Sequence, residues 1–296
     1  MRQIEIRQLE YFHSVCKLNS ISKAAAELHV TQPSISIAIQ KLEEELGVQL
    51  LDRSQRQIAL TDEGRIFFRC VNDILMRIGD SVNEVKDFKP CQGGSIKIGI
   101  PPMIGVFLFP HIFAKFREQY PEIELVAVEA GSLSIPKLLE EGKIDIGIIT
   151  KASSSLVLET QPITMAQLHV CLPHSHPLNS FTSIPFAKLS GQPFILLKED
   201  TYNYQIVMNE CQKHHFTPRI IFSSSQIGTI INLVEMGVGI TFLFDAIARK
   251  YPAIKSLPLE EPITSPIFLT WNRKRYLTSA SRAFIDFISS IHLNLE

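Results

Sequence analysis

The stretch over residues 20–47 constrains this chain more tightly than any bulk property does. Ser20 suits a helix N-cap, Ala24-Ala25-Ala26 form helix at low entropic cost, and Thr31 suits the cap of a second helix. Pro33 fits the first turn of that second helix, where its missing N–H has no intrahelical partner to lose. Ile35, Ile39, Leu42 and Leu46 follow at spacings of four, three and four, which buries one face, and Gly47 ends the element. Polar residues gather instead at the opening turn. Two short helices and a tight turn, with Thr31, Gln32, Pro33, Ser34 and Ser36 at the start of the second, describe a helix-turn-helix. In that motif the start of the second helix enters the DNA major groove and meets base edges. The Gln32 amide has the donor and acceptor that pair with adenine, Ser34 and Ser36 suit a base edge or a phosphate, and Gln40 lies further along the same helix. An ordinary helical hairpin in an enzyme core shares the apolar spacing, but it gives the polar opening no duty.

Net charge does not support DNA binding by itself. The 296-residue chain carries −1, and within its first 60 residues seven basic side chains balance seven acidic ones. Placement matters more than the sum: Glu43-Glu44-Glu45 falls at the far end of the second helix, whereas Arg53 and Arg56 follow it. Leu50, Leu51, Ile58 and Leu60 predict two short strands around an Arg53-Ser54-Gln55-Arg56 tip, a wing whose arginines can meet phosphates. A solvated turn is the plainer alternative. Ahead of the hairpin, residues 7–18 predict a supporting helix that turns Leu9, Phe12, Val15 and Cys16 inward.

Thr61 is another N-cap, with Asp62 and Glu63 in the first turn, and a long helix is predicted from it to about residue 89, where Pro90 stops it. Phe67, Val71, Ile74, Ile78, Val82 and Val85 form a narrow apolar seam along that helix. Either a second copy or the chain's own core can cover such a seam; its length and the charged opposite face favour the second copy. Pro90-Cys91-Gln92-Gly93-Gly94 then reads as a hinge. Beyond it the pattern alternates. Strands are predicted over 95–100, 123–128 and 144–149, with helices over 105–119 and 135–141, which implies βαβ units and a parallel sheet. Strands over 168–172, 194–197, 220–223 and 239–243, with helices over 204–214 and 226–236, predict a second α/β lobe. A strand over 267–271 and a helix over 279–291 return to the first.

Leu9-Glu10-Tyr11-Phe12, Ala24-Ala25-Ala26, Thr31-Gln32-Pro33-Ser34, Leu42-Glu43-Glu44-Glu45-Leu46-Gly47 and Leu60-Thr61-Asp62-Glu63-Gly64 together resemble the winged helix-turn-helix of LysR-type transcriptional regulators. Tyr120-Pro121, Glu141-Gly142-Lys143-Ile144-Asp145-Ile146-Gly147, His174-Ser175-His176-Pro177-Leu178 and Gly237-Val238-Gly239-Ile240 extend the resemblance through essentially the whole chain. It implies an α/β protein with a winged helix-turn-helix at 1–60, a dimerisation linker helix at 61–89, a hinge at 90–94 and an effector-binding domain at 95–296. That domain is expected to be a two-lobed clamshell like the periplasmic binding proteins, lobe I being 95–162 with 266–296 and lobe II 163–265. The partners implied are double-stranded promoter DNA, a small-molecule effector, and further copies of the chain: a homodimer through the linker helix, assembling to a homotetramer.

In open α/β sheets ligands bind outside the carboxyl ends of the strands. That rule selects Pro101, Pro102, Met103 and Ile104 after the first strand, Gly131 and Ser132 after the second, and Thr150 after the third. From the second lobe it selects Glu199, Asp200, Thr201 and Tyr202, then Ser224, Ser225 and Gln226. By resemblance these loops line the effector cleft. Ser132, Thr201, Ser225 and Gln226 suit a small carboxylate or another polar metabolite, and each suits a helix cap equally well. Three departures from the family pattern limit what carries over. The first loop is apolar where a hydroxyl is common, Phe244 stands where proline is common, and Ile37 replaces a polar or basic residue after the recognition-helix serine.

Cys16, Cys70, Cys91, Cys171 and Cys211 show no metal-like spacing, and Cys211 lacks the nearby companion that a redox sensor needs. His174 and His176 do not complete a metal site, and phosphate loops, nucleophile elbows and HExxH patterns are missing. Neither metal, cofactor nor catalysis is expected. No cationic leader or long apolar run opens the sequence, which predicts a cytoplasmic protein with no membrane partner. The rival reading is a solute-binding receptor or small-molecule enzyme whose amino-terminal helices only mediate oligomerisation.

Overall fold

The computed structural model describes residues 4–52, 58–87 and 93–291. It divides into two compact units, Met1–Phe88 and Lys89–Glu296. In the first, α1 (Ile6–Leu18) packs on α2 (Ile21–Glu27), α3 (Gln32–Leu46) and α4 (Asp62–Asp87). Strands β1 (Leu51–Asp52) and β2 (Ala59–Leu60) pair antiparallel. Phe12, Val15, Ile35, Ile39 and Leu42 are fully buried at the centre, and Leu50 and Leu51 close the core beside them. Full burial of one such side chain stabilises by about 1.5–3 kcal/mol.

Local chemistry sets the helix ends. Ser20 Oγ accepts the Lys23 N–H at 3.3 Å and Thr31 Oγ1 accepts the Ser34 N–H at 3.4 Å. The turn between α2 and α3 places His29 at φ 54°, and the Val30 N–H closes it on the Ala25 carbonyl at 3.0 Å. Gly47, at φ 72°, lets α3 end in the left-handed region without strain. Glu43 has a structural duty that the sequence hides: its Oε1 accepts the N–H groups of Leu50 and Leu51 at 2.8 and 3.1 Å, tying the end of α3 to β1.

The apolar seam of α4 divides where a single covering partner was expected. Val71 is fully buried in the core of this unit and the Phe67 ring lies 5.5 Å from Phe12, so α1 covers the first half. Ile74, Val82 and Val85, in contrast, are 43, 47 and 70 % exposed.

The second unit opens with β3 (Gly94–Ile100), α5 (Pro102–Phe107), α6 (Phe109–Gln119), β4 (Ile123–Glu129), α7 (Ile135–Glu140), β5 (Ile146–Ile149) and β6 (Leu158–Pro173). Then come β7 (Pro193–Leu197), α8 (Tyr202–Lys213), β8 (Arg219–Ser224), α9 (Ile227–Glu235), β9 (Thr241–Phe244), α10 (Asp245–Ala248), β10 (Ile254–Asn272) and α11 (Ser279–Ser290). One sheet runs β4-β3-β5-β10-β6-β9, and β7 pairs with β8 in a second. Strands β3, β4 and β5 are parallel, as the alternation predicts, but β10 joins β5 antiparallel, so the sheet is mixed.

Two long strands organise the clamshell. β6 and β10 pair antiparallel from Leu158↔Asn272 to Pro173↔Ile254, with register shifts between Pro258 and Ile263 and between Ile267 and Phe268. β5 joins this ladder at one end, through Phe268–Trp271, and β9 joins it at the other, through Leu168–Cys171. Lobe I is therefore built on one end and lobe II on the other. Only segments of these strands are visible in the sequence, because their exposure changes where they pass between lobes: Met165 is 59 % exposed while Leu168 and Val170 are buried. The expected helix over 105–119 is also two helices, broken at Leu108. Pro110 explains the break, since it cannot donate to the preceding turn and sits in the first turn of α6 instead. Carboxyl-terminal α11 returns to lobe I, where Phe284 and Phe287 pack edge-on against Phe116 at 5.0 and 5.2 Å.

Candidate functional site

Two regions gather the residues selected from the sequence. On α3, Ile35, Ile39 and Leu42 face the core, which turns Gln32, Pro33, Ile37, Gln40, Lys41 and Glu44 outward as one exposed face. Thr31 and Ser34 are exposed at its start and occupy each other, with their hydroxyl oxygens 2.8 Å apart. Ser36 is half-buried at the margin. Gln40 Nε2 donates to Glu44 Oε1 at 3.3 Å, so an acidic group shares this face. Ile37, 55 % exposed at its middle, suits a thymine methyl better than a phosphate. Arg53 and Arg56 lie outside the described residues, as do Pro90, Cys91 and Gln92 of the expected hinge.

The strand-end loops of the second unit converge through strand register. Ile100 pairs with Glu129, bringing Pro101 beside Gly131, and Leu197 pairs with Ser224, bringing 198–202 beside Ser225. Hydrogen bonds then join the loops of the two lobes. The Tyr202 N–H donates to Ser132 Oγ at 2.8 Å, the Gly131 N–H to Asp200 Oδ2 at 3.2 Å, and the Leu133 N–H to the Asp200 carbonyl at 3.1 Å. Lys151 Nζ lies 5.5 Å from the centroid of the Tyr202 ring, a cation–π contact across the same opening.

Ser132, Thr150, Thr201 and Ser224 are already engaged. Ser132 and Thr201 are 5 and 3 % exposed, and Thr201 Oγ1 donates to the Lys198 carbonyl while it accepts the Tyr204 N–H. Buried Thr150 gives its carbonyl to Ser265 Oγ at 3.0 Å. Ser224 Oγ accepts the Gln226 N–H at 3.0 Å, and Ser225 and Gln226 are exposed. In the first loop Met103 and Ile104 belong to the core, whereas Pro102 is half-exposed. Lys151 and Asn203 were not selected from the sequence. Lys151 follows Thr150 directly, which is the signal that could have found it. Asn203 reveals itself only in three dimensions, 4 % exposed, with Nδ2 on the Phe242 carbonyl and Oδ1 among the buried atoms without a partner.

Residues 6–65 match the family model of the bacterial regulatory helix-turn-helix protein, lysR family, and residues 92–291 match that of the LysR substrate binding domain. The chain belongs to the LysR family. A transcriptional regulator of this family from Bacillus subtilis, YwbI, is 33 % identical over 290 residues, 97 % of this chain and 96 % of its own. Among solved structures, a full-length OxyR variant from Pseudomonas aeruginosa shares the fold at a TM-score of 0.72 and 23 % identity, covering 98 % of this chain and 96 % of that one. The effector-binding domain of QuiR, in complex with shikimate, matches at a TM-score of 0.59 and 22 % identity, over 66 % of this chain and 95 % of that one. This LysR-family chain is thus a DNA-binding transcriptional regulator with a winged helix-turn-helix and an effector-binding domain.

Other titratable groups of the regulator serve its framework. Ser256 Oγ and Asp245 Oδ1 approach the same nitrogen of His169, Nδ1, at 3.0 and 3.4 Å, so the three form no relay through both ring nitrogens. Burial lowers the His169 pKa against the upward pull of Asp245, with Arg249 adding to the lowering. Burial pushes the thiols of Cys16, Cys171 and Cys211 up to about 12, which leaves little thiolate at neutral pH. His174 Nε2 meets the Pro252 carbonyl at 2.8 Å and His176 Nδ1 accepts the Leu178 N–H at 3.2 Å, so both histidines brace their loop. Among the described residues no helix is long and apolar enough to cross a membrane.

Proposed function

We propose that this regulator reads promoter DNA with the opening of α3: Gln32, Ser34, Ser36 and Gln40 toward base edges or phosphates, Thr31 and Pro33 shaping the entry, and Arg53 and Arg56 on flanking phosphates. The supporting observation is the exposed face of α3 above fully buried Ile35, Ile39 and Leu42, which presents polar side chains at the start of the helix. Its effector, a small carboxylate or another polar metabolite, enters the interlobe cleft and contacts Gly131, Ser132, Thr150, Thr201, Tyr202, Ser224, Ser225 and Gln226, with apolar Pro101, Pro102, Met103 and Ile104 on one side. The shikimate held by the QuiR domain supports that class of ligand. For regulation the effector must bind two arrangements of the protein unequally, a coupling of about 1–3 kcal/mol.

Two separate apolar surfaces support assembly. The second half of α4, with Ile74, Val82 and Val85, suits a homodimer, and exposed Ile220, Ile221 and Phe222 on edge strand β8 offer the second interface that a homotetramer needs. No reaction is assigned to the chain.

Duplexes selected from a random pool at near-physiological salt are expected to share a dyad-symmetric site. On that site Gln32→Ala and Ser34→Ala should weaken specific binding by roughly 5- to 150-fold, the range spanned by about 1–3 kcal/mol, with the dimer mass unchanged. Unaltered footprints would overturn the assignment of α3.

A further inference from the structure

Three hydrogen bonds between lobes gather at the loop that carries Asp200. Asp200, in the loop after β7, accepts the Gly131 N–H on its carboxylate and the Leu133 N–H on its carbonyl, and its neighbour Tyr202 donates to Ser132. An ideal Cβ at Gly131 would lie 2.2 Å from the Asp200 carbonyl oxygen, 2.3 Å from its Cγ and 2.4 Å from Oδ2. Gly131 is not among the glycines with positive φ, so its backbone would accept alanine. The obstacle to a side chain at 131 is Asp200 itself.

We propose that Asp200 is a resident carboxylate that latches the cleft shut, and that Gly131 is a glycine because the latch needs so close an approach. The proposal rests on the cleft being the effector site. A ligand entering between the lobes must displace Asp200 from the Gly131 N–H. An anionic group that takes this donor restores the charge-assisted hydrogen bond, whereas an uncharged, apolar ligand leaves it without an acceptor. The latch therefore selects for carboxylate-like ligands through what must be broken to admit them. It also gives the two-state element that effector coupling requires, with closed and open lobes differing by a defined set of bonds.

Amide hydrogen exchange on the full chain reads the latch directly, without a known effector. In the wild type the amides of Gly131, Leu133 and Tyr202 should exchange slowly for loop residues. Gly131→Ala acts as a wedge and should speed exchange across 131–133 and at Tyr202 on the order of tenfold. Asp200→Ala removes the carboxylate but keeps the backbone acceptor for Leu133, and should produce a smaller rise. The β6–β10 ladder must stay protected in both variants, which shows that they fold. Should the wedge variant lose ladder protection, Asp200→Ala decides alone: faster exchange at Gly131 supports the latch and unchanged exchange overturns it. Wild-type amides exchanging at open-loop rates, or a folded Gly131→Ala with wild-type rates, would also overturn it. The promoter footprint is read in parallel. Faster exchange with an altered footprint supports the latch and its coupling to DNA; faster exchange with an unchanged footprint supports the latch and overturns instead the reading of the cleft as the regulatory site.

Discussion

The two units hold their candidate contact groups in opposite ways. The hydrogen bonds that shape the entries to α2 and α3 reach three residues along the chain, Ser20 to Lys23 and Thr31 to Ser34, and they leave Gln32 and Gln40 at the surface. Those that join the loops of the two lobes span 69 and 70 positions, and they engage the Gly131 amide and the Ser132 hydroxyl. A helix so capped presents its face whenever the small core beneath it is folded. The proposed cleft is conditional in part, because the Gly131 and Leu133 amides and the Ser132 hydroxyl are engaged by the opposite lobe until something replaces it. The difference suits a regulator, in which DNA binding must be built in and the response to an effector must cost something to trigger.

The largest expected effect tests how much the first unit depends on a bond that reaches beyond the helix ends. Glu43 Oε1 reaches seven and eight residues to the amides of Leu50 and Leu51, one of several longer-range bonds in this unit beside those of Ser14 with Glu27 and His13 with Asn72. Leu50 is 1 % exposed, so its amide has little access to water. Glu43→Ala takes a charged acceptor from two such amides and should cost about 2–3 kcal/mol. Thermal unfolding should show the first unit melting earlier while the second keeps its transition. A shift in both would mean that the two units unfold as one.

In the second unit the matching experiment is Ser265→Ala. Ser265 is 1 % exposed on β10, and its hydroxyl donates to the Thr150 carbonyl where the long strands pass between lobes. The variant should lose about 1 kcal/mol, a neutral hydrogen bond. A loss as large as that of Glu43→Ala would show that the crossing strands depend on this one bond rather than on the paired ladder around it.

What the sequence revealed follows the same division. Ser20, Thr31, Pro33 and Gly47 announce the helix ends of the first unit because capping is decided within a turn. Glu43 was legible only as charge, since its partners lie beyond the helix it ends. In the second unit the strand-end rule found Gly131, Ser132, Thr201 and Tyr202 as loop residues, and periodicity could not show that these loops bond to one another. β6 and β10 were seen in fragments for a related reason. A strand that leaves one lobe for another changes its pattern of exposure midway, and an alternation rule expects one pattern throughout. Pro110 was visible from the outset, and its effect was missed because the apolar spacing continues across the break it makes.

The smallest effect offers the closest control between the units. His29 in the turn before α3 and His215 after α8 sit at φ 54° and 56°, and both are exposed. A side chain in this left-handed region costs roughly 1–2 kcal/mol, which glycine avoids while giving back about 0.5–1 kcal/mol through the entropy of its unfolded chain. Backbone bonds hold both turns, from the His29 N–H to the Ala26 carbonyl and from the His215 N–H to the Gln212 carbonyl, and glycine retains them. His29→Gly and His215→Gly should each stabilise their own unit by about 0.5 kcal/mol, read as a small rise of that unit's melting transition. Equal gains would show that the two units respond alike where the geometry is local, so that their differences arise from the long-range bonds alone. A destabilised His29→Gly would instead mean that the histidine side chain helps to set the angle at which α3 leaves α2, and the recognition hairpin would be less self-contained than its caps suggest.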